Sequence, residues 1–398
     1  MSTLSDITTH TRASSATYTD ANGILQTAAI NEPRVGHHIY NGSAWVNEGY
    51  FHESEARTNL VTYSQDLVAL GVSKTDTTNT SDSFTATAQA GVQTPNIFFN
   101  TTLGTGVHTW WVDFTDLVKA PYVVLQTTLF NATANGSSIF DLANQSVVFQ
   151  SGNHTARIVE VADGVYRCII TLATDGTDNT GRLVIGLSEN TTILRITDPD
   201  GTESVKVLRQ QLEAGSTPSS YIPTSGSTVT RAADTLTIPS ANLPWNPLAV
   251  SIQMEGTMTY ADRGLGSSSV GGQGEVVWVD WRADSSNYVD LVLSTSGSRT
   301  GQLLVIQEYS TTIDLASSGF SVFSPGINVQ FNISSRHGST FVNGAVDGVA
   351  LTANTTPIAL PDLSSTDMDI GSIFMGTIKL FRVWADDLTD AGIEEASA

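Results

Sequence analysis

Apolar residues in this chain recur mostly at every second position, in short runs separated by turn residues. In Thr109–Phe114, Trp110, Val112 and Phe114 fall on one side and Trp111 and Asp113 on the other. In Val165–Leu172, Tyr166, Cys168, Ile170 and Leu172 alternate with Val165, Arg167, Ile169 and Thr171. Pro121–Phe130 and Arg182–Leu187 supply further strands, with turn signals at Asn135-Gly136, Asp163-Gly164 and Asp175-Gly176. The second half repeats the pattern at Leu248–Tyr260, Gly274–Arg282, Asn287–Ser294, Gln302–Tyr309, Ile327–Ser335 and Gly376–Trp384. Val329, Phe331 and Ile333 alternate there with Gln330, Asn332 and Ser334, and Asn343-Gly344 reads as the turn of the next hairpin. A period of two, broken by glycine, asparagine and aspartate, marks half-buried strands, and many such strands predict all-β sandwiches. One helix is expected, at the end, with Thr389 capping Asp390–Ala396.

The punctuation divides the chain. Residues 1–55 hold few consecutive apolar positions, and turns at Asp20–Gly23 and Tyr40–Ser43 make them a hairpin-rich arm too small to fold alone. A first sandwich is expected over 56–230 and a second over 231–398, ending in the short helix. Their join lies in Gln211–Ile238. Strand-like Ser204–Leu212 gives way to Gly215 and Pro218, and a new strand starts near Thr235. Tyr221 and Ile222 are apolar in a polar loop, so they are expected to pin the linker onto the preceding domain.

The join QLEAGSTPSSYIPTSGSTVTRAAD resembles the segment linking β-sandwich modules in phage tail-fibre, head-fibre and related virion proteins. SEARTNLVTYSQDL (Ser54–Leu67) resembles the opening of those modules, and Thr11–His38 the segment before it. Gly376–Ser397 is similar to the last strand of a laminin-G or concanavalin-like module. The resemblance implies an all-β fold of two jelly-roll or concanavalin-like β-sandwich domains behind a small N-terminal arm. It also implies a virion protein made in a bacterial cytoplasm, attached to other virion proteins through that arm. Recognition of host cell-surface polysaccharide and a homo-oligomer, most simply a trimer, follow from it as well; it fixes no site residue.

Composition narrows the partners. The chain of 398 residues carries 18 Lys+Arg against 39 Asp+Glu, a net charge of −21. With no basic run, nucleic acid is not an expected partner, and no apolar run is long enough for a transmembrane helix, so no membrane insertion is expected. The single cysteine, Cys168, leaves no intramolecular disulfide and reads as a buried hydrophobe. The N-terminus lacks the basic and apolar regions of a signal peptide.

Two sets of residues are candidates for sugar contact. Strict alternation in Glu275–Arg282 puts Val277, Val279 and Trp281 on one face and Val276, Trp278, Asp280 and Arg282 on the other. Asn287–Ser294, read as the antiparallel partner, puts Tyr288 and Asp290 beside them. Aromatic rings, carboxylates and a guanidinium on one face suit the C–H faces and hydroxyls of sugars, and would equally suit packing between subunits or domains. Trp111, Asp113 and Arg167 form a smaller analogue. Asp198, Asp200 and Glu203 are close enough in sequence to hold calcium, although a hairpin turn accounts for them too, and they lack the EF-hand spacing. His37, His38 and His52 read as hairpin-surface residues rather than metal ligands. No catalytic set, cofactor motif, GxSxG, P-loop or HExxH is present, so turnover is not expected. The chain reads as a polysaccharide-binding virion fibre or spike subunit, with a structural decoration protein and a capsule depolymerase as the alternatives.

Overall fold

The computed structural model describes residues 4–177, 179–262 and 275–398; the expected strand start at Gly274 lies outside them. The fold is all-β, built from antiparallel sheets with one short helix at each end. No helix among the described residues is long and apolar enough to cross a membrane. The chain forms two compact units. One comprises Met1–His38, Asn47–Ala56 and Ala232–Ala398, the other Ile39–Val46 and Arg57–Arg231.

The Arg57–Arg231 unit has two six-stranded sheets. One runs, in spatial order, Ser146–Gln150, Gly136–Asp141, Tyr122–Thr128, Thr180–Ser188, Asn96–Thr102, Ser73–Thr75. The other runs Thr155–Ala162, Val165–Thr174, Gly106–Val118, Ser204–Ala214, Ser83–Ala86, Thr77–Asn79. Trp110, Val112, Phe114, Cys168, Ile170 and Leu172 all enter the core, as the alternation predicts. Asp163-Gly164 closes the hairpin between Thr155–Ala162 and Val165–Thr174, with Gly164 at φ +66°. The opening motif pairs with the closing one, Arg57–Asn59 lying antiparallel to Val229–Arg231. The linker is fastened as expected. Tyr221 and Ile222 are buried, the Tyr221 hydroxyl bonds Ser64 Oγ at 2.6 Å, and Gln211 Oε1 accepts from Ile222 N at 2.7 Å.

The unit containing Ala232–Ala398 has two seven-stranded sheets. One runs Thr9–Thr11, Thr235–Ile238, Met368–Ile373, Glu275–Asp284, Asn287–Ser294, Leu303–Tyr309, Thr312–Ser317. The other runs Val349–Ala350, Val342–Val346, Gly326–Gly338, Ala249–Tyr260, Met375–Trp384, Trp45–Glu53, Arg34–Tyr40. The first 55 residues therefore do not form a separate arm. Thr9–Thr11 pairs with Thr235–Ile238, and Trp45–Glu53 pairs with Met375–Trp384, burying Tyr50 in the core. Strands too short to be stable alone complete their hydrogen bonding on the sheets of this unit.

A buried charge network binds the same segments. Asp234 accepts from Arg12 Nη1 at 3.1 Å, from Arg34 Nη2, and from the Glu53 backbone N at 2.9 Å. Arg34 Nη1 donates to Glu53 Oε2 at 2.7 Å, and none of the four side chains is more than 1% exposed. Arg12 also donates to the carbonyls of Ser14, Ala29 and Glu32. Arg12 and Arg34 come from the Thr11–His38 segment and Asp234 ends the Gln211–Asp234 join, so these charged residues of the resembling segments serve as an internal fastening.

Two local expectations change. Asn343-Gly344 is not a turn but lies inside the strand Val342–Val346, because Asn343 is buried and bonds Asp390, and Gly344 passes within van der Waals reach of Val305. Asp347 and Gly348, both at positive φ, make that turn instead. The helix spans Thr389–Ala396 without a side-chain cap at its start.

Candidate functional site

The strands Glu275–Asp284 and Asn287–Ser294 pair as expected, with Asp280 opposite Asp290 and Arg282 opposite Tyr288. The register shifts between Val277 and Val279. This bulge breaks the strict alternation and reassigns Trp278. Val276, Trp278, Val279 and Trp281 all enter the core, Trp278 packing against Phe323 and Phe331. Val277 joins Tyr288, Val292, Leu304 and Ile306 in a small apolar cluster on the opposite face. Trp278 is therefore removed from the candidate set, whereas Asp280, Arg282, Tyr288 and Asp290 share the face turned away from the core.

Arg282 organises that face. Its Nε donates to Asp280 Oδ1 at 3.0 Å and its Nη2 to Asp290 Oδ2 at 2.7 Å. Its guanidinium carbon lies 3.8 Å from the centre of the Tyr288 ring, a cation–π contact that takes the ring face a sugar would need. Burial, reinforced by the charge of Asp280, pushes the Asp290 carboxyl up to about 8, and its Oδ1 has no hydrogen-bond partner among the described residues. Burial and the neighbouring Glu308 raise the Tyr288 hydroxyl. The side chains of Arg282 and Asp280 are 35% and 26% exposed, against 11% for Asp290. The accessible surface is thus the Arg282 guanidinium and the Asp280 carboxyl, backed by the less accessible Asp290 carboxyl. Glu308 belongs to this group and sequence reasoning missed it. Its parity on Leu303–Tyr309 was readable, but its place opposite Tyr288 required the strand order.

Trp111, Asp113 and Arg167 are brought together as supposed, since Gly106–Val118 pairs with Val165–Thr174 and puts Asp113 opposite Arg167. Trp111 and Asp113 are fully buried, however, so neither offers sugar a surface. Tyr221 of the linker packs edge-on to Trp111 with ring centres 5.8 Å apart, and the Arg167 guanidinium lies 3.7 Å from the Trp111 ring centre. Arg209, not anticipated, completes the group.

The Asp198–Glu203 carboxylates are taken up by partners inside the turn and by Gly91 and Lys119 outside it. Asp198 accepts from Gly91 N, and Glu203 from the backbone of Asp200 and Gly201. Asp200 pairs with Lys119 at 2.5 Å and accepts from Thr202. Among the described residues no group of three or more His, Cys, Asp or Glu is placed to hold an ion. The histidines are not on a hairpin surface as a set. His37 stacks on Phe51, and His52 bonds Gly371 O at 3.0 Å; burial lowers them to about 3 and about 4.

No protein-family model matches the sequence, and no curated protein matches it. Among solved structures, the chain is similar to domains LG4-5 of the mouse laminin alpha1 chain. The match has 10% identity and a TM-score of 0.26, covering 74% of this chain and 86% of that one.

Proposed function

We propose that the protein is a fibre or spike subunit of a phage-like virion that adheres to bacterial surface polysaccharide, by binding rather than turnover. The observation that carries this reading is the cross-strand set Asp280, Arg282 and Asp290, which holds hydrogen-bonding groups in fixed positions on a sheet face. Sugar hydroxyls both donate and accept, so a guanidinium held between two carboxyls complements them. Arg282 bonds both carboxyls and fixes them as one hydrogen-bonding surface, and the reading taken is adhesion rather than depolymerisation.

The virion setting rests on the resemblance of the Gln211–Asp234, Ser54–Leu67 and Thr11–His38 segments. Attachment to other virion proteins is assigned to residues 1–55, where Ile24, Ile30 and Val35 are exposed. A homotrimer would turn weak single sites into firm attachment through avidity. A structural decoration protein is the second reading, favoured by the burial of Tyr288 and Asp290 within the chain.

The test is binding of labelled, assembled protein to bacterial cells, with and without soluble surface polysaccharide. Saturable binding that the polysaccharide abolishes supports adhesion, whereas none by folded protein transfers the reading to decoration. Shortening of the polymer during incubation would overturn binding without turnover.

A further inference from the structure

Three arginine groups of this acidic chain are balanced or rich in carboxyls. Arg12 and Arg34 face Asp234 and Glu53; Arg282 faces Asp280 and Asp290; Arg336 faces Asp387 and Asp390. The group around Asp113 is the reverse. Arg167 donates to it bidentately, Nε to Oδ1 at 2.7 Å and Nη2 to Oδ2 at 3.0 Å, while Arg209 Nε donates to Oδ2 at 2.5 Å. The three residues lie side by side in register on neighbouring strands. Burial opposes ionisation of Asp113, but the two guanidinium groups hold its carboxyl below the usual range. Two fixed positive charges against one negative leave a surplus of one on this sheet face.

Both guanidinium groups are also held in place from below, Arg167 over Trp111 at 3.7 Å and Arg209 over Tyr221 at 5.5 Å. Their side chains remain 15% and 24% exposed. Among the described residues, Arg167 Nη1 and both Nη atoms of Arg209 have no hydrogen-bond partner. Asp113 accepts all three of their bonds and is itself 0% exposed, so what the two arginines present to solvent is N–H groups. Pre-oriented guanidinium edges carrying unneutralised charge are matched by an oxyanion, which the chain does not supply.

We propose that Arg167 and Arg209 form a clamp for an oxyanion carried by a sugar, either the carboxylate of a uronic acid or a phosphate ester. The inference rests on the polysaccharide-binding reading above and adds the charge class of the polysaccharide. Asp113 is a positioning residue that orients both arginines without touching the ligand.

The test is calorimetric titration of the full chain with tetragalacturonate, with its neutral methyl ester and with mannose 6-phosphate. One or both charged sugars should bind, more weakly as salt rises, and the methyl ester should not. Arg209→Gln should weaken that binding at least about tenfold, because a charge-assisted bond is lost. Arg167 would still neutralise Asp113 in that variant, and a native melting temperature checks its fold. Arg209→Lys, which keeps the charge but loses the fork, should fall between; it serves as the test if Arg209→Gln does not fold. Equal binding of the methyl ester, no binding of either charged sugar, or unchanged binding by folded Arg209→Gln would each overturn the clamp. Competed cell binding that Arg209→Gln leaves intact would overturn it while sparing the adhesion reading. Clamp binding without any cell binding would do the opposite.

Discussion

Replacing Asp234 by alanine should destabilise the unit that contains it severely, for a reason that can be worked residue by residue. Asp234 is wholly buried and accepts from Arg12, Arg34 and the Glu53 backbone. Without it, Arg34 keeps Glu53 as a counter-charge, but Arg12 keeps only backbone carbonyls. A buried guanidinium stripped of its carboxylate costs about 3–5 kcal/mol. For a unit of this size that lowers the melting temperature by about 6–20 °C. Scanning calorimetry measures the loss, and hydrogen exchange should place it in residues 4–38, 47–56 and 232–238, where the network's partners sit. Adding Arg12→Met removes the stranded charge, so the double variant should be no less stable than Asp234→Ala alone. Burial would raise the Asp234 pKa, but Arg34 beside it holds the folded value below the usual one. Its contribution is therefore complete above about pH 4 and is lost as pH falls through the lowered folded pKa. A drop of less than about 2 °C would refute the reasoning, since it amounts to under about 1 kcal/mol.

Three further outcomes are expected. Trp278→Ala should cost about 3–5 kcal/mol as a core deletion, so weakened cell binding by that variant would report unfolding; urea titration separates the two. His154 is buried between Thr127 and Ser138, and burial lowers it to about 4. The unfolded chain binds its proton below about pH 6.5, so stability is full above that value and falls by up to about 3 kcal/mol toward pH 4. A His154→Gln variant should show a flatter stability profile over that window, and an unchanged profile would contradict the assignment. Cys168 is fully buried and its thiol is raised well above its ordinary value, chiefly by burial. Alkylation should proceed only at the rate of unfolding, and rapid labelling of native protein would count against the core placement.

Much of the fold was legible because period-two alternation reports which side of a strand faces a core. It placed Trp110, Val112, Phe114, Cys168 and Ile170 correctly, and it placed Tyr288 and Asp290 on the face away from the core. It failed at Trp278, where one extra residue in the strand reverses parity and no local residue announces the bulge. It also failed to show that residues 1–38 and 47–55 belong to the later sandwich, because strand pairing over more than 200 residues leaves no trace in local pattern. Glu308 and Arg209 were missed for the same reason: their partners are set by strand order. Trp111 and Asp113 had the right neighbours but the wrong exposure, since the linker residue Tyr221 packs beside Trp111.

The most direct test of the proposed adhesion site is titration of short oligosaccharides from a bacterial surface polysaccharide into wild-type protein, Arg282→Gln and Arg282→Lys, each shown to melt like the wild type. Binding by the wild type, weakened at least about tenfold in Arg282→Gln and less in Arg282→Lys, is the expected result. Equal affinity in all three, or no binding by folded wild-type protein, would contradict the assignment of sugar recognition to the Asp280–Arg282–Asp290 face.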